Sequence, residues 1–93
     1  MNTDNKIQDF TTLKLEGPQG HVANVRIMAN GSIVVNEIPI DHRPGKRSLF
    51  EAAEVASAQL AHTVDPAHLA WQILLEFERL LRRNAIAREG QAK

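Results

Sequence analysis

The sequence predicts an α+β domain in which a three-stranded antiparallel β-meander precedes two C-terminal α-helices. Apolar and polar residues alternate with period two up to about residue 40, and apolar residues recur at helical spacing from residue 48 onward. The basic loop at residues 41–47 joins the two halves and contains a proline and a glycine, which are typical of a break in regular structure. The 93 residues suffice for one small domain.

The first predicted strand covers about Phe10 to Glu16, and Gly17-Pro18-Gln19-Gly20 after it is typical of a turn. Asn30-Gly31 then lies between two β-rich runs and favours the positive φ angles of a two-residue type I′ turn. Such a turn places Ile27 opposite Val34 and assigns one face of the sheet to the core: Ala23, Val25, Ile27, Val34, Ile38 and Ile40. The opposite face would then hold Met28, Ile33 and Val35, which is too apolar a set to be freely solvated. Pro39 indicates that the end of the third strand lies at an edge of the sheet or outside the ladder.

Ser48 and Glu51 have the spacing of a capping box, so the first helix begins at Ser48, and it is expected to end near Thr63. Its predicted buried stripe is Leu49, Ala53, Ala56, Leu60 and Val64, widened by Phe50 and Ala61. Asp65-Pro66 supplies an N-cap and a proline at the first position of the second helix, predicted over about residues 65–86.

The second helix carries more apolar residues than one buried face requires. Its predicted core face consists of Leu69, Ile73, Phe77 and Leu80, and three further apolar residues, Trp71, Leu75 and Ile86, lie outside that face. Either these three residues bind a partner, or the helix is buried on two sides within the domain. The first interpretation predicts a protein interface because tryptophan and arginine are enriched at interface hot spots. Its apolar anchors would be Trp71, Leu75 and Ile86, and its polar rim Arg79, Arg82 and Arg83.

The zero net charge hides an uneven distribution of charged residues. The 41–50 segment has a net charge of +2, the 51–80 segment −4 and the 81–93 segment +3. This dipolar pattern suits a specific protein contact better than general nucleic-acid binding, which usually requires an overall basic protein. The basic loop could nevertheless hold a phosphate at the helix N-terminus through His42, Arg43, Lys46 and Arg47. The alternative is a solvated loop that forms ion pairs with the acidic segment.

Residues 21–61 resemble the second half of a double-stranded-RNA-binding domain, with strands followed by Pro44-Gly45-Lys46-Arg47-Ser48 and an alanine-rich helix. The resemblance implies that the basic helix N-terminus contacts phosphates across the duplex groove. The chain departs from that family in lacking an N-terminal helix and in having Leu49 and Phe50 where the family has paired lysines. We therefore do not assign the chain to the family.

The chain contains no recognisable catalytic or cofactor motif. His62, Asp65 and His68 surround the turn between the helices, but their spacing is no known ligand signature, and His62 suits a helix C-terminus. We expect no enzyme activity, metal or cofactor. Because the N-terminal residues lack a signal-peptide pattern and no apolar run could span a membrane, we expect a cytoplasmic protein.

The sequence thus predicts a non-catalytic protein–protein interaction module (a small regulator, adaptor, inhibitor or assembly factor) that forms a homodimer. The alternative is a nucleic-acid-binding regulator that uses residues 42–47 and the C-terminal arginines. We expect residues 1–8 and 88–93 to be flexible.

Overall fold

The computed structural model describes residues 7–40 and 48–91 of the chain. It confirms the predicted α+β class: an antiparallel meander, in which the strands lie side by side in sequence order, is followed by two helices. The strands are β1 (Phe10–Glu16), β2 (Val22–Met28), β3 (Ile33–Val35) and β4 (Ile38–Pro39), and the helices are α1 (Ser48–Gln59) and α2 (Pro66–Gln91). The sheet therefore has one strand more than predicted.

The additional strand arises from a tight turn at Asn36-Glu37, which splits the predicted third strand into β3 and β4. Both residues have positive φ angles, 47° and 67°, and Val35 pairs with Ile38 across the turn, as in a type I′ hairpin. Asn36 adopts this conformation readily, and its side chain prolongs the ladder to β2. Its Oδ1 accepts a 2.7 Å hydrogen bond from the Asn24 N–H, and its Nδ2 donates to the carbonyl of Val22 at 3.0 Å. Pro39 lies in the edge strand, as predicted.

The predicted register of the β2–β3 hairpin is wrong by one residue. Ile27 pairs with Ile33 rather than with Val34. The Gly31 N–H donates to the Met28 carbonyl, and Gly31 has a φ of 95°, so the loop has three residues, 29–31. Because side chains alternate along a strand, this shift reverses β3: Ile33 and Val35 are buried. β3 thus contributes two β-branched side chains to the core, Ile33 and Val35, whereas the predicted register would bury only Val34 of these three residues.

The helices cover one face of the sheet and leave the other face open. The core between the layers contains Ala23, Val25, Ile27, Ile33, Val35, Ile40, Ala52, Ala53, Ala56, Leu60, Leu69, Ala70 and Ile73. Two residues of the predicted core face of the sheet are not buried, because Val34 is on the open face and Ile38 is exposed at the edge. Phe50 and Ala61, assigned to the buried stripe of the first helix, are exposed as well. Of the apolar surplus predicted for the open face, Ile33 and Val35 lie in the core, and Met28 remains on that face with Lys14, Asn24 and Arg26.

Helix α1 begins at Ser48, as predicted, but ends at Gln59, before the predicted Thr63. The backbone of Ala61 and His62 is left-handed, with φ angles of 57° and 58°, which ends the helix. Its small buried residues, Ala52, Ala53 and Ala56, allow a close approach of the sheet and of α2. The predicted N-cap of α2 is confirmed, since the Asp65 Oδ1 accepts the N–H of Ala67 at 3.0 Å.

Helix α2 packs against α1, β1 and β2 through the predicted face, with Leu69, Ile73 and Leu80 buried and Phe77 half-buried. It continues to Gln91 instead of ending near residue 86, which gives it a length of about 39 Å at roughly 1.5 Å per residue. Of the ends predicted to be flexible, residues 88–91 belong to this helix, and residues 1–6 and 92–93 lie outside the described residues.

Candidate functional site

The candidate site is the side of α2 that faces away from the sheet, called here the outer face of α2 and defined by Trp71, Leu75, Glu78, Arg82 and Ile86. The buried residues Leu69, Ile73 and Leu80 lie on the opposite side of the helix, and all five outer-face side chains are exposed. Trp71 is 58% exposed, Leu75 42% and Ile86 57%. The interpretation that α2 is buried on two sides within the domain is therefore wrong.

Arg82 lies in the middle of the outer face and not on its rim as predicted. At about 100° per residue, Arg82 projects within about 20° of Trp71, in the angular gap between Trp71 and Leu75. Viewed along the helix axis, Glu78 projects about 20° from Trp71 on the side opposite to Arg82. Both side chains are exposed. An acidic and a basic residue thus interrupt an otherwise apolar stripe, one helical turn apart.

The other two predicted rim arginines, Arg79 and Arg83, lie along one border of the outer face and are exposed. Arg79 is held by an ion pair, because its Nη1 lies 3.3 Å from the Glu76 Oε1. The same Glu76 carboxylate accepts a 2.8 Å hydrogen bond from the Thr11 hydroxyl of β1 through its Oε2. Glu76 therefore connects this border of the outer face to the sheet.

An apolar groove adjoins the outer face and includes a residue that the sequence interpretation placed in the core. Phe50 is 47% exposed and, with Leu49, Ala70, Trp71 and Leu74, lines a groove of about 220 Å³ between α1 and α2. Leu49 and Phe50 are adjacent, so they project about 100° apart and a narrow buried stripe accommodates only one of them. That spacing was the signal in the sequence that Phe50 faces outward.

The open face of the sheet forms a second concave surface, of about 400 Å³, lined by both polar and apolar side chains. It includes Lys14, Asn24 and an exposed ion pair between Arg26 Nη2 and Glu37 Oε1 at 3.1 Å. A single exposed ion pair stabilises little and is readily exchanged with solvent. This surface offers fewer large apolar anchors than the outer face of α2.

The predicted anion site cannot be placed in the fold, because His42, Arg43, Lys46 and Arg47 lie outside the described residues. The C-terminal arginines proposed to reinforce it, Arg82, Arg83 and Arg88, are exposed along α2. His62, Asp65 and His68 are also exposed at the turn between the helices. In the part of the chain that the structure describes, no group of three His, Cys, Asp or Glu side chains is arranged to hold a metal ion.

Within residues 7–40 and 48–91, neither helix has the combination of length and apolar character that a membrane crossing requires. No protein-family model, no curated protein and no solved structure matches this chain.

Proposed function

We propose that this protein is a non-catalytic protein–protein interaction module, acting in the cytoplasm as a small regulator, adaptor, inhibitor or assembly factor, and that it binds through the outer face of α2. The observation that carries the proposal is the exposure of Trp71, Leu75 and Ile86 on one side of a single helix. A contiguous exposed apolar surface of this kind commonly marks a site of contact with another molecule.

The composition of the outer face supports the same function. Tryptophan and arginine are the side chains most often found at the energetic centre of protein interfaces, and here Trp71 and Arg82 project from the same side of α2, about 16 Å apart along its axis. The face belongs to a helix that is fixed along its length by a packed core, so a partner would meet an ordered surface. Rigid presentation lowers the entropy lost on binding.

The test is a tagged pull-down from a lysate of the native host, comparing the unchanged protein with Trp71→Ala/Leu75→Ala. The double variant should remain folded by far-UV circular dichroism, because both side chains are exposed, and it should lose its bound proteins or its second copy. Phe10→Ala is the matched control, since it removes another exposed aromatic side chain from the opposite, open face of the sheet. Equal recovery by all three proteins would refute the proposal.

The same experiment tests the alternative function, a nucleic-acid-binding regulator. Half of each lysate is treated with nuclease, and binding to a nucleic-acid column is followed over a salt gradient. Recovery that disappears with nuclease, together with binding that weakens steeply with salt, would favour the alternative, because each phosphate contact releases counterions. Recovery that survives nuclease and depends on Trp71 and Leu75 supports the interaction module.

A further inference from the structure

The outer face of α2 has the spacing of a coiled-coil seam. One line of exposed residues along this face recurs at alternating intervals of four and three. It consists of four residues of the outer face, Trp71, Leu75, Glu78 and Arg82, followed by Ala85 and Glu89, and Ile86 lies beside it. Such spacing keeps one line of side chains facing a partner helix along several turns. The seam runs from residue 71 to residue 89, which is about 27 Å at roughly 1.5 Å per residue, so it can bind one helix of similar length side by side.

The order of the charges along the seam favours one arrangement of two identical helices. In a parallel pair, Glu78 would face Glu78 and Arg82 would face Arg82, which places like charges together twice. In an antiparallel pair whose two-fold axis passes at the level of residue 80, Glu78 of each copy faces Arg82 of the other. Like charges set against each other at an interface are strongly unfavourable, so the antiparallel arrangement is preferred.

The same axis pairs the remaining seam positions, 71 with 89 and 75 with 85, so that Trp71 faces Glu89 of the second copy. Leu75 then faces Ala85 of the second copy, which sets a large side chain against a small one. The two copies of Leu81, which is 42% exposed and flanks the seam, meet near the axis. On the other flank of the seam, the Arg79 side chains of the two copies approach each other. Within each copy, the Glu76 carboxylate forms an ion pair with Arg79 and offsets its charge. Two-fold pairing of one surface with itself requires this kind of self-complementarity.

From this charge pattern we propose that the outer face of α2 binds a second copy of this chain in antiparallel orientation, with two reciprocal ion pairs between Glu78 of one copy and Arg82 of the other. This inference rests on the proposed function, since it names the partner of the same face. Charged residues within a seam specify register and orientation at some cost in affinity, which is the role we assign to this pair.

Charge reversal tests the pairing. Glu78→Arg and Arg82→Glu alone each place two like-charge pairs in the homodimer, and each should weaken dimerisation at least tenfold in Kd by sedimentation velocity. An equimolar mixture of the two variants should recover a heterodimer, because both cross-pairs become complementary. The combined variant Glu78→Arg/Arg82→Glu should also dimerise. Glu54→Arg, a charge reversal at an exposed residue of α1 away from the outer face, is the control and should not change Kd.

The outcomes separate this inference from the proposed function. A wild-type protein that is monomeric at all concentrations overturns the dimer, while loss of partners in Trp71→Ala/Leu75→Ala would still support the interaction module. Single variants that dimerise like wild type overturn the ion pairs. Weak single variants that the mixture does not rescue would show that Glu78 and Arg82 act within one helix and not between copies.

Cysteine cross-linking tests the orientation independently, because the chain contains no cysteine. A mixture of Leu75→Cys and Ala85→Cys copies, one of them tagged, should form the mixed disulfide under mild oxidation. The antiparallel axis keeps the two copies of residue 75 well apart, so Leu75→Cys alone should cross-link poorly. Efficient cross-linking of Leu75→Cys to itself, with no mixed product, would overturn the antiparallel pairing.

Discussion

The carboxamide of Asn84 makes two hydrogen bonds to the backbone of Gln8, 76 residues earlier in the chain. Its Oδ1 accepts the Gln8 N–H at 2.8 Å, and its Nδ2 donates to the Gln8 carbonyl at 2.9 Å. Asn84 lies on the buried side of α2 and is only 1% exposed. The side chain thereby makes the two backbone hydrogen bonds that a neighbouring strand would make to Gln8, just before β1 begins. It connects the C-terminal part of α2 to the start of the sheet.

Asn84→Ala should lower the free energy of unfolding by about 1–3 kcal/mol, because both backbone groups of Gln8 lose their partners next to the core. The neighbouring Arg83→Ala removes an exposed side chain and should change stability by less than about 0.5 kcal/mol. Urea denaturation followed by far-UV circular dichroism, at one protein concentration for both variants, measures the difference. Equal stability of the two variants would contradict a structural role for the Asn84–Gln8 pair.

The hairpin register is tested by paired substitutions on adjacent residues of β3. Val35 is fully buried, so Val35→Thr should cost about 1–3 kcal/mol through an unsatisfied hydroxyl, and Val34→Thr on the open face should cost less than about 0.5 kcal/mol. The register with a two-residue turn at Asn30-Gly31 requires the reverse order of effects. Thermal and urea unfolding of the two variants therefore distinguishes the two registers directly.

The turn at Asn36-Glu37 should be improved by glycine at its second position. Glu37 has a φ of 67°, and the left-handed conformation costs a non-glycine residue about 1–2 kcal/mol. Glu37→Gly removes this cost and loses only an exposed ion pair with Arg26, so we expect a net stabilisation of about 0.5–1 kcal/mol.

Glu37→Ala is the control for that prediction, because it removes the same ion pair and keeps a side chain at positive φ. It should be slightly less stable than the unchanged protein. Should Glu37→Gly prove no more stable than Glu37→Ala in urea denaturation, the backbone conformation of this turn would not be a source of strain.

The elements that the sequence predicted correctly are those with strong local signals. β1 spans Phe10–Glu16 as expected, the beginning of α1 at Ser48 follows from its cap, and the Asp65-Pro66 start of α2 is confirmed by the Asp65 hydrogen bond. The one-residue error at Asn30-Gly31 arose because a two-residue and a three-residue loop are both compatible with this dipeptide. Local backbone preference does not distinguish the two loop lengths. The burial of Ile33 and Val35 does, because it requires the three-residue loop.

The candidate site, too, was predictable from local signals only in part. The helical spacing placed Trp71, Leu75 and Ile86 together, but it left open whether they were buried, since exposure depends on which neighbours the chain brings to that side. The place of Arg82 and Glu78 beside Trp71 also follows from helical spacing, whereas the turning of Glu76 toward Thr11 depends on how α2 is rotated against β1.

By itself the sequence determined the order of sheet and helices, the helix starts and the surplus of apolar residues on α2, because propensity, capping and periodicity act over a few neighbouring residues. Only the tertiary structure decided the faces of β3, the Asn36-Glu37 turn, the Asn84–Gln8 connection and the exposure of the outer face of α2. Each of these depends on contacts between residues far apart in the chain, where burial of the whole core outweighs a local preference.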